Sequence, residues 1–215
     1  MRSVLALFFI AGTFICHAQN KQYTFVFLNK NPAAEKLSKE ESERIMSGHM
    51  ANINKLAEEG KLLAAGPFEG GGGMFVLNTT DKDEASQWLK DDPGVQAKRW
   101  NIELLPFTLH GSLCKVSAPY EMVMYSFARF DAIVSKYTSA TYPEIIQRHN
   151  QYVEKLAETG NVVASGTFGQ HDGGIVIMKG EVQKDIFEQD PGVQEGLLEL
   201  TMKQLYIAKG SFCEK

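Results

Sequence analysis

The chain has no run of lysine or arginine. Its 22 basic residues are scattered through 215 positions against 26 acidic ones, and the formal net charge is −4. Without a basic stripe and interleaved aromatics there is no footprint for a nucleic-acid backbone. No Gly-x-Ser-x-Gly elbow is present to raise a serine nucleophile, and none of the 3 cysteines sits in a setting that would make it one. Histidine is scarce, at 5 residues. His171 and Asp172 are adjacent, but no second cluster stands at ligand spacing, so neither a metal nor another cofactor is expected. The four-glycine run Gly70–Gly73 lies between two predicted strands. A phosphate loop feeds a helix N-terminus instead, so this run reads as a hairpin turn.

The first twenty residues, "MRSVLALFFIAGTFICHAQN", read as a leader. Arg2 supplies a positive end, Val4–Cys16 a short apolar core, and Cys16 and Ala18 the small residues a signal peptidase needs. Cleavage after Ala18 is expected to leave an exported, periplasmic or secreted chain with no stable membrane span; an uncleaved anchor is the alternative. Export brings an oxidising compartment, and two cysteines, Cys114 and Cys213, would remain.

The chain repeats itself. "HMANINKLAEEGKLLAAGPF" from His49 and "HNQYVEKLAETGNVVASGTF" from His149 align at an offset of 100, with Gly60 on Gly160 and Gly66 on Gly166. The offset is expected to hold at 100 through the strand pair. It becomes 98 where "DDPGVQ" meets "QDPGVQ" and 99 where "GSLC" meets "GSFC". Each copy is the size of a small domain rather than a solenoid unit, giving domains at 22–114 and 120–213. Lys115–Glu121 between them is too short for a free linker, so the copies are expected to pack together.

Both copies read as strand, helix, strand, strand, short helix, strand. The first helix runs from about Lys39 to Glu59, with Ser38 and Glu41 at capping-box spacing. Thr141, Pro143 and Glu144 play the same parts in the second copy, and Gly60 and Gly160 stop the two helices. The fold class is therefore α+β: two ferredoxin-like βαββαβ repeats whose bare sheet faces press together as an intramolecular pseudo-dimer of the dimeric α+β barrel type. A pseudo-twofold axis would carry Cys114 and Cys213 to symmetric places, and a disulfide between them is expected if those places lie near the axis.

His49 shares an apolar helical stripe with Ile45, Met46, Ile53 and Leu56, and His149 with Ile145, Ile146, Val153 and Leu156. Such a ring serves either as a core residue donating to a backbone carbonyl or as a base. The base reading needs a carboxylate on one ring nitrogen to fix the tautomer and leave the other free. Asp92 and Asp190 are the candidates, each in an Asp-Pro-Gly unit that also suits a type II turn. Trp88 and Trp100 flank the first of these units and read as core packing before pocket lining.

These residues carry a resemblance. "RHNQYVEKLAETGNVVASGTFGQHDGGIVIM…DPGVQEGL" resembles the YCII-related (YciI-like) family, and the pattern recurs once per copy over nearly all of 22–213. The resemblance implies a His–Asp pair in a cleft between first helix and sheet, carried by His149 with Asp190 and by His49 with Asp92. It also implies lyase-like chemistry, such as dehydrohalogenation of a hydroxylated aromatic. Both copies depart from the pattern at Gly94 and Gly192, where the family favours Phe. Copy two keeps Arg148 and Asp172 where copy one has Gly48 and Gly72, which makes that pair the substrate-binding candidates and copy two the expected working half. The expected function is proton transfer on an unidentified small molecule, of lyase or isomerase type. The alternative is a non-catalytic ligand-binding or interaction module. Further homo-oligomerisation is left open.

Overall fold

A computed structural model describes residues 21–136, 138, 140–169, 173–181 and 184–214. The leader at 1–18 and the candidate Asp172 lie outside the described residues. Element order is β1 (Lys21–Lys30), α1 (Lys39–Glu58), β2 (Leu62–Pro67), β3 (Gly73–Leu77), α2 (Lys82–Leu89), α3 (Pro93–Gln96) and β4 (Trp100–His110). It continues with β5 (Met122–Ala132), α4 (Tyr142–Glu158), β6 (Val162–Thr167), β7 (Gly174–Lys179), α5 (Lys184–Glu188), α6 (Pro191–Gln194) and β8 (Leu198–Ala208). The same order of strands and helices thus occurs twice, and each run of four strands has the ferredoxin-like arrangement.

All eight strands join one antiparallel sheet in the order β2-β3-β1-β4-β6-β7-β5-β8. Its two runs meet at a short seam, where Thr108, Leu109 and His110 of β4 pair with Thr167, Gly166 and Ser165 of β6. The outer strands also meet: Phe68 bridges Leu205, and the Glu69 amide donates to the Gln204 carbonyl at 2.9 Å. The sheet therefore curls until its edges touch. Registers match closely in the two runs, down to a bulge between Leu62 and Ala64 in β2 and between Val162 and Ala164 in β6. The turn before the next strand differs. Gly73 abuts the Gly66 carbonyl just as Gly174 abuts that of Gly166, so the offset rises from 100 to 101 across the turn instead of holding.

Alternation along the strands divides the apolar residues between two faces. Phe25 and Phe27 of β1 face inward with Phe107, Phe127, Phe168, Ile177 and Leu205, drawn from both runs of strands. Phe25 and Phe168 meet edge-on with centroids 5.3 Å apart, and Phe68 and Phe127 lie 4.9 Å apart. Each fully buried side chain of this size contributes about 2–3 kcal/mol, and the inward faces have no separate cores to collapse onto. Val26 and Leu28, on the outward face, pack under α1 and α2; Ala128 and Phe130 pack with Phe187 of α5 and the apolar face of α4.

The helix signals act locally as expected at one end and differently at the other. The Ser38 hydroxyl accepts from the Glu41 amide at 3.1 Å and opens α1. Thr141 makes no such bond; its hydroxyl is engaged with Thr138, and Pro143 in the first turn starts α4 without a side-chain cap. Met46 of α1, placed on the buried stripe by spacing, is instead 43% exposed. At the four-glycine turn, Gly72 has φ +81° and a Cβ there would lie 2.3 Å from the Leu28 carbonyl oxygen, so only glycine closes the hairpin this tightly. Cys114 and Cys213 are joined by a disulfide with Cα atoms 5.1 Å apart. It ties the segment after β4 to the one after β8, beside Phe212, which fills the inner core.

Candidate functional site

The Asp-Pro-Gly units are helix starts rather than type II turns. Asp92 is the N-cap of α3: its Oδ1 accepts from the amides of Gly94 at 2.8 Å and Val95 at 3.2 Å, and Pro93 occupies the first turn, where a missing N–H costs nothing. Asp190 caps α6 in the same way, through Gly192 and Val193. The cap uses one carboxylate oxygen. The other, Oδ2, is left aimed at the helix packed alongside.

That second oxygen meets the histidine in each copy. His49 Nδ1 lies 2.8 Å from Asp92 Oδ2, and His149 Nδ1 lies 2.7 Å from Asp190 Oδ2. All four residues are at least 95% buried. Burial alone would push the Asp92 carboxyl up. The hydrogen bond and charge of His49, with donors from Val95 and Asn52, outweigh it and hold the group below its ordinary value.

The two rings differ at the other nitrogen. His149 Nε2 lies 2.9 Å from the Gly173 carbonyl oxygen. A carbonyl only accepts, so Nε2 carries a hydrogen; Nδ1 faces a carboxylate oxygen, so a further proton lies between that pair. Both nitrogens of His149 are therefore committed. His49 Nε2 has no hydrogen-bond partner among the described residues. Its Nδ1–H donates to Asp92, whose Oδ2 also accepts from Asn52 Nδ2 at 3.1 Å. Trp100 packs against the His49 ring with centroids 4.6 Å apart, and Phe75 lies 6.0 Å away. In copy two Tyr152 stands in the place of Asn52, and Phe130 lies 4.8 Å from the imidazole. Among the described residues, the ring nitrogen without a partner is thus His49 Nε2 in copy one, while both nitrogens of His149 in copy two are engaged.

The glycines that replace the family's Phe have a packing reason. A Cβ on Gly94 would lie 2.1 Å from the Trp100 ring, and one on Gly192 would lie 2.6 Å from a Leu198 methyl. Trp100 thus fills the space beside Gly94 and packs against the core under α1 and α2 and against the His49 ring.

Space is distributed the other way. A cleft of about 540 Å³ opens between α4 and β6, with His149 on its wall and Ser165, Thr167, Val153 and Glu154 among its lining residues. Arg148, expected to bind substrate, does not line it and pairs with Glu195 next to α6. Ser165 stands where copy one has Ala65. Ser165, Asn52 and Gly173 all shape the sites and were missed as site residues; the Ala65/Ser165 exchange between aligned copies was the available signal. Among the described residues, no group of three or more His, Cys, Asp and Glu could hold a metal ion, and no helix is long and apolar enough to cross a membrane.

Residues 10–108 match the YCII-related domain. The YCII-related match covers the first copy as far as residue 108, His49 and Asp92 included, and begins within the segment read as a leader. A solved structure from Fusobacterium nucleatum subsp. nucleatum ATCC 25586, whose name assigns it provisionally to the monooxygenases, is similar at 12% identity with a TM-score of 0.48. The alignment covers 87% of this chain and 93% of that one. No curated protein matches.

Proposed function

We propose that the chain is an exported pair of YCII-like copies, residues 22–114 and 120–213, folded as an internal pseudo-dimer after loss of residues 1–18. In this reading it binds a small molecule in the cleft between α4 and β6. The cleft itself carries the reading: it is of a size that suits small ligands, it mixes hydroxyls with aliphatic walls, and it stands against the fixed His149–Asp190 pair. His149 serves there as a rigid polar wall, because neither ring nitrogen is free to exchange a proton with a guest. Ser165→Leu puts a branched side chain into the cleft. Ligand-observed NMR with small aromatic alcohols is expected to show binding to the wild-type chain and none to this variant; equal signals from both sink the reading.

A second reading, proton transfer on a small molecule, belongs to His49. Its support is the unpartnered Nε2 of a ring whose Nδ1–H is held by Asp92. Nitrogen-15 shifts read the tautomer directly. The Nδ1–H form is expected in the wild type and a mixture of tautomers in Asp92→Asn. The same mixture in both would remove the basis for His49 as base.

A further inference from the structure

We infer that the α4–β6 cleft selects against anions and takes a neutral or cationic amphipathic molecule. The inference rests on the cleft being a ligand site and adds the chemical class of the ligand. Among the described residues, no lysine or arginine lines the cleft, and Glu154 is its one carboxylate. The His149 imidazole brings no unbalanced positive charge, because Asp190 is paired with it at 2.7 Å. Its Nε2–H is already spent on the Gly173 carbonyl, so it has no donor left for a carboxylate or phosphate. Ala157, in the last turn of α4, also lines the wall. The C-terminal end of a helix carries a partial negative charge, which favours cations over anions. Ser165 and Thr167 offer hydroxyls that give or accept a hydrogen bond, and neither hydroxyl has a hydrogen-bond partner among the described residues. Val153, Val162 and Ile175 provide the apolar side. A guest with an apolar body and a hydroxyl or ammonium head satisfies all of these walls at once.

Three probes of nearly equal size test the inference: 2-phenylethanol, phenethylamine and phenylacetate, titrated at pH 8. Amide shifts of Asn150, Val163 and Ser165 report occupancy. The alcohol and the amine are expected to shift them, with phenylacetate weaker by about five-fold or more, as one unscreened like charge requires. Glu154→Gln, a change on the exposed side of α4, is expected to bring the amine down to the affinity of the alcohol. Phenylacetate binding as tightly as the amine, or an amine preference indifferent to Glu154→Gln, overturns the charge selection while leaving the cleft a ligand site. Failure of all three probes to move the cleft amides overturns the ligand site, and the selection with it.

Discussion

At His149 a carbonyl and a carboxylate each hold one ring nitrogen; at His49 only the carboxylate is present, and it has a second donor in Asn52. Removing the two rings therefore has unequal costs. His149→Ala strands a buried Asp190 oxygen and the Gly173 carbonyl, and is expected to destabilise by about 3–5 kcal/mol. His49→Ala leaves Asp92 its bond from Asn52 and is expected to cost about 1–3 kcal/mol. Urea denaturation of the two variants checks the order, and a larger loss for His49→Ala would refute it. Asp92 also gives a pH signature. Its carboxyl is held below its ordinary value in the fold, so its contribution is complete above the unfolded value near pH 4 and is lost as pH falls through the folded value. Between pH 6 and pH 2 the denaturation midpoint of the wild type is expected to fall further than that of Asp92→Asn. Asn52 serves the Asp92 carboxylate, whereas the Tyr152 hydroxyl at the matching position donates to the Ile186 carbonyl before α6.

Elements that depend on neighbours in sequence were legible from sequence. Ser38 with Glu41 predicts the start of α1, and Gly60 and Gly160, with φ of 69° and 76°, mark the ends of α1 and α4. Where one local pattern serves two structures, the reading fails: Asp-Pro-Gly suits a turn and a capped helix equally, and only the packing of α3 on α1 and α6 on α4 selects the helix. Thr141 is similar, since a competing hydroxyl at Thr138 takes the bond that would have capped α4. The histidines and aspartates were legible as candidates, but separations of 43 and 41 residues carry no distance. Nothing in the string marks Gly173 as the partner of His149. The tight element contact at Gly94 gives a direct test. Gly94→Ala places a methyl group against Trp100 and is expected to cost about 1–3 kcal/mol by overpacking. Loss of the ring-current shift on His49 should accompany it as Trp100 moves; an unchanged His49 spectrum would show that the indole is not held where described.

For the whole molecule, the inner core and the disulfide act across both runs of strands. Cys114 and Cys213 are separated by 99 residues, and closing a loop of that size stabilises by about 5 kcal/mol in the chain-entropy account. Cys114→Ser with Cys213→Ser is expected to lower stability by that order in denaturant titrations, and reductant should have the same effect on the wild type. A second cross-connection is ionic. Arg129 of β5 holds Glu103 of β4 through two bonds, at 2.8 and 2.9 Å, while its guanidinium lies 4.3 Å from the Phe27 ring centroid. That the two runs share one interior was legible from the repeat, since each bare sheet face needs a cover; that they join through only three residue pairs at the β4–β6 seam was not.

The placement of the His–Asp pairs outside that shared interior, each beneath its own helices, has an evolutionary consequence. Residues lining the common core answer to both copies at once, so drift there is restrained twice. Residues around each imidazole answer to one copy alone. Exchanges such as Ala65 for Ser165 or Asn52 for Tyr152 can accumulate on one side without touching the other. The surroundings of one imidazole can in this way change while those of the other, and the sheet between them, stay as they are.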